Sequence, residues 1–130
     1  MRHQIPAYSI ESLKSTDVEP REIDLFRFQY FAQNIEHLAE PHRHYFYTFI
    51  LVTGGGGKHD IDFREYELKT GRLFLIAPGQ VHAWKDLNKV KGFVLLFTDS
   101  FMALSKGRRL LSSWPLFRNH QPSYLDLPVA

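Results

Sequence analysis

The 130-residue sequence contains no cysteine, and that single absence removes disulfide bridges, thiolate metal sites and cysteine nucleophiles from consideration. It also lacks any uninterrupted apolar run near the roughly 18 residues that a membrane helix needs. The first twenty residues carry Glu11, Asp17 and Glu19 without an apolar stretch, so no signal peptide is read there. These absences predict a soluble cytoplasmic protein with no membrane partner. Charge of one sign is missing too, with 16 Lys and Arg against 14 Asp and Glu. A domain that grips phosphates needs a concentrated basic face. Here the densest basic cluster is Lys106, Arg108 and Arg109, which reads as a solvated helix face. Nothing in this stretch of chain is built to read DNA.

What is present is the material for one core. The 44% hydrophobic and 15% aromatic content suits a single globular domain of this length. Residues 1–20 are polar, contain Pro6 and Pro20, and read as an N-terminal arm. Residues 21–98 read as a barrel of short strands. Ile23–Phe31 is dense in apolar and aromatic side chains, and Tyr45–Val52 is the strongest strand in the sequence. Gly54–Gly57 then reads as a turn, with Lys58–Phe63 as the returning strand of a hairpin. The Lys58–Asp60 stretch and Asp62 read as a solvated, charge-alternating face. Arg72–Ile76, Val81–Trp84 and Gly92–Phe97 supply further strands, broken at Ala77-Pro78-Gly79. Short strands with frequent turns indicate a sandwich or closed barrel. Residues 99–130 change character: Thr98 or Asp99 can cap a helix to about Ser113, ended by Pro115 and followed by a tail.

The chemistry concentrates in Pro41-His42-Arg43-His44 and the strand behind it. Side chains two apart on a strand share a face, so His42, His44, Phe46, Thr48, Ile50 and Val52 point one way. Two imidazoles at that spacing can converge on one metal or one polar ligand. A third, His82, follows the Ala77-Pro78-Gly79 break, and Trp84 shares its parity. Gly54–Gly57 with Lys58 is no phosphate loop, because neither a Ser/Thr after the lysine nor a helix follows. No nucleophile elbow is present.

The His-x-His pair before a strand and Gly-rich stretch resembles the first cupin motif. Gly71 followed by Ala77-Pro78-Gly79-Gln80-Val81-His82 resembles the second. The closer resemblance is to the N-terminal sensor domain of AraC/XylS-type transcription regulators, over Pro41–Thr53, Leu68–Trp84 and Gly92–Phe101. It implies a mainly β fold, a cupin-like (double-stranded β-helix) barrel with a C-terminal helical segment. It further implies an effector-sensing and dimerisation domain rather than an enzyme. A small molecule, a sugar for example, would sit inside the barrel against His42, His44, Thr48, His82 and Trp84. The partners implied are that effector, a second copy in a homodimer, and DNA only through a C-terminal helix-turn-helix domain. The sequence stops before any such segment, which predicts one part of a longer protein.

Two departures from the general cupin pattern bear on cofactors. Metal-binding cupins place a Glu about four residues after the second His, where this sequence has Thr48, and Ala77 stands in place of a proline. Three neutral imidazoles can still hold zinc or iron. No cofactor is therefore assigned, and His42, His44 and His82 remain the metal candidates. Two rival readings follow: a stand-alone metal-dependent cupin enzyme, an isomerase or dioxygenase, and a purely structural dimer module whose barrel is filled by side chains.

Overall fold

Period-two burial decides the architecture, because each central strand is apolar towards the interior. The computed structural model describes residues 7–8, 23–29, 41–104 and 123–128. Eight strands occupy most of them: β1 (Ala7–Tyr8), β2 (Ile23–Arg27), β3 (His42–His44), β4 (Tyr47–Ile61), β5 (Arg64–Glu67), β6 (Arg72–Ile76), β7 (Val81–Phe97) and β8 (Tyr124–Asp126). They form one sheet in the order β1-β3-β7-β4-β6-β8, with β2 also on β7 and β5 on β4. Among the described residues only the β1–β3 pair is parallel. The mainly β, cupin-like barrel expected from the sequence is what the chain adopts. Its interior holds Phe46, Ile50, Val52, Ile61, Phe74, Ile76, Val94 and Leu96, all nearly or fully buried. Each such side chain contributes roughly 1.5–3 kcal/mol by leaving water.

The spine of the barrel differs from the short-strand reading. β4 and β7 run 15 and 17 residues and pair along their whole length, from Tyr47 opposite Phe97 to Ile61 opposite His82. Gly54–Gly57 is therefore not a turn. It lies inside β4, where the register shifts at three places between Val52 and Lys58. Gly55 shows why glycine is needed: its φ is +77°, and a Cβ there would sit 2.2 Å from the Lys89 carbonyl oxygen. The missing side chains let two backbones cross closely while both strands bend around the barrel corner. On β7 the matching bend carries positive φ at Asp86 and Lys89, which joins the two strands expected at Val81–Trp84 and Gly92–Phe97. The real reversal is at Asp62–Phe63, both with positive φ, as a two-residue hairpin requires. Asp62 also accepts from the Val81 backbone N–H at 3.1 Å and from Gln80 Nε2 at 2.8 Å, fixing where β7 starts.

The helix after β7 begins as expected. Thr98 is its N-cap, with the Phe101 N–H donating to Thr98 Oγ1 at 3.2 Å, and α1 (Asp99–Leu104) follows. Its predicted continuation to Ser113 lies outside the described residues, as does the arm apart from β1.

Besides its backbone ladder with β6, β8 is held by the Arg72 side chain. Arg72 donates to both Asp126 carboxylate oxygens at 2.8 and 3.1 Å, donates to the Glu67 carbonyl, and lies 3.8 Å above the Tyr124 ring. A two-pronged guanidinium–carboxylate pair fixes geometry as well as charge. Replacing Asp126 with Asn should loosen β8 alone. The Leu127 amide, bonded to Gly71 O, should exchange severalfold faster with deuterium, while amides in the β4–β6 ladder keep their protection.

Candidate functional site

Register brings the histidines together. β3 and β4 flank the first residues of β7, so His42 and Ile61 both lie opposite His82. His59 lies opposite Trp84 on the same face. Directly opposed residues in an antiparallel pair have neighbouring side chains, and here these point inward. His42, His44, Thr48, His59, His82 and Trp84 are all at most 5% exposed.

Ring centroids separate His42 from His82 by 4.2 Å, His44 from His82 by 4.3 Å and His42 from His44 by 4.9 Å. A chain of polar contacts crosses the cluster. His59 Nε2 lies 3.0 Å from His82 Nδ1, and His82 Nε2 lies 3.0 Å from His44 Nε2. His44 Nδ1 lies 3.5 Å from Thr48 Oγ1. Aromatic rings pack these imidazoles: Phe46 stacks on His44 at 4.4 Å, and Trp84 stacks on His59 at 3.6 Å. Phe28 meets Trp84 edge-on at 4.9 Å.

Burial keeps the rings uncharged. Desolvation, and secondarily the nearby His42, lowers the His44 pKa to about 3. His59 and His82 are pushed well below the ordinary imidazole range by desolvation first and neighbouring imidazoles second. Neutral imidazole is the form that exchanges hydrogen bonds with another imidazole and that ligates metals.

All five residues expected to line the interior are brought together. His44, Thr48, His82 and Trp84, with Phe28, Ile50, Val94 and Leu96, enclose a cavity of about 10 Å³. That holds one water or one ion. A sugar of the kind expected from the sequence does not fit it without rearrangement. The nitrogen donors of His42, His44 and His82 lie within 4.8 Å of one another. Tetrahedral zinc with imidazole ligands needs nitrogens about 3.3 Å apart, close to the His44–His82 separation. The donor set therefore fits a nitrogen-bound cation, with Thr48 rather than a carboxylate beside it.

His59 is the residue that sequence reading missed. Its neighbours Lys58 and Asp60 made the segment look solvated. Asp60 and Lys58 do bear surface ion pairs, to Lys85 and Glu65, while His59 and Ile61 between and beyond them turn inward. The shared parity of His59 with apolar Ile61 was the available signal.

Comparison with known proteins agrees with this architecture. A family model described as the AraC-like ligand binding domain matches residues 28–102. No curated protein matches the chain. Among solved structures, oxalate decarboxylase from Bacillus subtilis is similar at 18% identity with a TM-score of 0.38, over 71% of this chain and 31% of that one. The chain thus spans under a third of that enzyme's length. The plu4264 protein from Photorhabdus luminescens is similar at 18% identity with a TM-score of 0.41, over 74% of this chain and 91% of that one. Likenesses this remote carry no argument about chemistry. The family match covers more than half of the sequence and coincides with β3 to α1 and the histidine cluster: the chain belongs to the AraC-like ligand-binding domain family.

Proposed function

We propose that this domain is the effector-sensing half of a bacterial transcription regulator and does no chemistry of its own. The observation that carries the reading is a sealed polar cluster at the centre of an otherwise apolar barrel. His44, His59 and His82 within it are kept neutral by burial and linked by polar contacts, and aromatic rings surround them. Among the described residues the cluster contains no carboxylate, which suits it to holding an occupant rather than turning one over. The homodimer implied by the family has an apolar surface to form on: Ile23, Leu25 and Phe93 point outward from neighbouring strands, and Leu25 is 64% exposed. DNA would be reached through a helix-turn-helix domain outside this sequence. Occupancy of the cluster would shift the balance between arrangements of β7, α1 and the dimer.

A thermal-shift screen against sugars, aromatic acids and divalent cations tests the sensor reading. At a hundredfold excess over its dissociation constant, an occupant adds about 2.7 kcal/mol of stability. For a domain this size that raises Tm by on the order of 10 °C. The rise should vanish in His44→Phe and be accompanied by altered hydrogen exchange in α1. A screen in which no class raises Tm in a His44-dependent way overturns the reading.

A further inference from the structure

We propose that the outer bend of the barrel carries a binding site separate from the interior, a hydrophilic cleft between β5 and β7 that takes a linear aliphatic diammonium ion. Binding there does not depend on the sensor reading; only its regulatory meaning rests on that reading. The cleft measures about 580 Å³, within the range of small-molecule sites and far larger than the interior cavity. Gly56 and Gly57 of β4 form its floor. Glu65 and Glu67 on β5 form one wall, Asp86 and Asn88 on β7 the other, and Lys58 stands between them.

The lining selects the ligand. It contains no apolar side chain, so an aromatic or aliphatic ring gains nothing there. Three carboxylates face one ammonium, and Lys58 already pairs with Glu65 at 3.1 Å. Among the described residues Glu67 and Asp86 make no ion pair. Lys58 lies opposite Glu67 on one side and opposite Lys85, the neighbour of Asp86, on the other. The two unpaired carboxylates therefore stand two interstrand spacings apart, about 10 Å at the backbone. One hard cation would need its oxygens about 2.5 Å from itself. Among the described residues, the only trio of potential ligands close enough to share an ion is His42, His44 and His82. Two ammonium groups joined by methylenes meet the geometry instead. Each takes one carboxylate, and the chain between them lies along the glycine floor.

Gly56 is the independent sign that the cleft is built. Glycine inside a strand weakens it. Gly55 and Gly57 have a reason to be glycine, with φ of +77° and +138°, but Gly56 is not left-handed. Nor is it crowded, since a Cβ there would meet nothing within 4 Å. Neither dihedral nor packing requires it, and its bareness keeps the floor open. Asp86 also belongs to the bend of β7, between His82 and α1. A ligand that ties Asp86 to Glu67 across β4 braces that bend.

The test titrates the chain at low salt with cadaverine, butylamine, pentanediol and Ca(II), read by nitrogen-15 amide shifts. Cadaverine should bind saturably at one site, with shifts centred on Gly56, Glu67, Asp86 and Asn88. It should bind about fivefold more tightly than butylamine, the upper end for one added solvent-facing ion pair. Pentanediol should not bind. Glu67→Gln and Asp86→Asn should each reduce cadaverine to the butylamine level, and asparagine tolerates the left-handed backbone at that position. Gly56→Leu should abolish binding without moving the urea midpoint. Equal affinity for cadaverine and butylamine overturns the diammonium assignment. Tighter binding of Ca(II) at the same amides replaces it with a metal site, and binding that survives Gly56→Leu removes it from the cleft. If cadaverine binds but hydrogen exchange in α1 is unchanged, the site stands and its regulatory meaning falls. Failure of cadaverine to bind overturns the site and leaves standing the sensor reading, which turns on His44.

Discussion

Between pH 7 and pH 5 the metal-free domain is expected to lose stability, with His44 alone contributing roughly 2 kcal/mol. The loss comes from His44, His59 and His82. In the unfolded chain an imidazole takes a proton as pH falls through about 6.5. In the fold, burial holds His44 near 3 and keeps His59 and His82 uncharged well below 6.5. Folded pKa values below unfolded ones mean that the unfolded state binds protons first. Stability is therefore complete above pH 6.5 and drains away as pH falls towards the folded values. His44, which stays neutral down to about 3, contributes roughly 2 kcal/mol to the loss by pH 5, and His59 and His82 add to it in the same direction. Urea midpoints at pH 7, 6 and 5 in the presence of chelator measure it. His44→Phe should reduce the pH slope, and a midpoint that stays constant from pH 7 to 5 would sink the idea.

Gly92→Ala is expected to destabilise the fold by more than about 3 kcal/mol, the high end for overpacking. A Cβ at Gly92 would lie 2.1 Å from the Leu51 carbonyl oxygen and 3.1 Å from its carbon. The obstacle is backbone in the middle of the β4–β7 ladder, next to the Val52–Gly92 pair, so no side chain can swing away. The two longest strands must separate locally and give up ladder hydrogen bonds. Gly56→Ala serves as the control, since nothing lies within 4 Å of a Cβ there. It should change stability by no more than about 0.5 kcal/mol. Chemical denaturation of both variants decides the matter, and a Gly92→Ala cost near that of Gly56→Ala would refute it.

Much of the site was legible because strand parity is a local property. His42, His44 and Thr48 occupy alternate positions before an apolar run, and His82 and Trp84 repeat the spacing, so one inward face follows for each strand. The barrel was legible from the same alternation and from the resemblance. The glycine run was misread for a physical reason: a residue without Cβ serves a reversal or a close crossing equally well. Only the distant partner, Lys89 on β7, decides which. The true hairpin at Asp62–Phe63 carried none of the glycine or asparagine that marks such turns. His59 was hidden by Lys58 and Asp60, whose outward charges say nothing about the residue between them. The size of the cavity depends on how Phe28, Ile50, Val94 and Leu96 interdigitate, and no one-dimensional pattern encodes that.

β7 has a mechanical consequence. Its first residues hold His82 and Trp84, its last leads through Thr98 into α1, and β4 grips it throughout. Under the proposed sensor reading, a displacement of the indole or the imidazole at one end would reach the helix at the other through continuous strand. The give is confined to the left-handed residues Asp86 and Lys89. In the sensor reading proposed above, stiffening those two positions would pass more of a displacement at His82 on to α1.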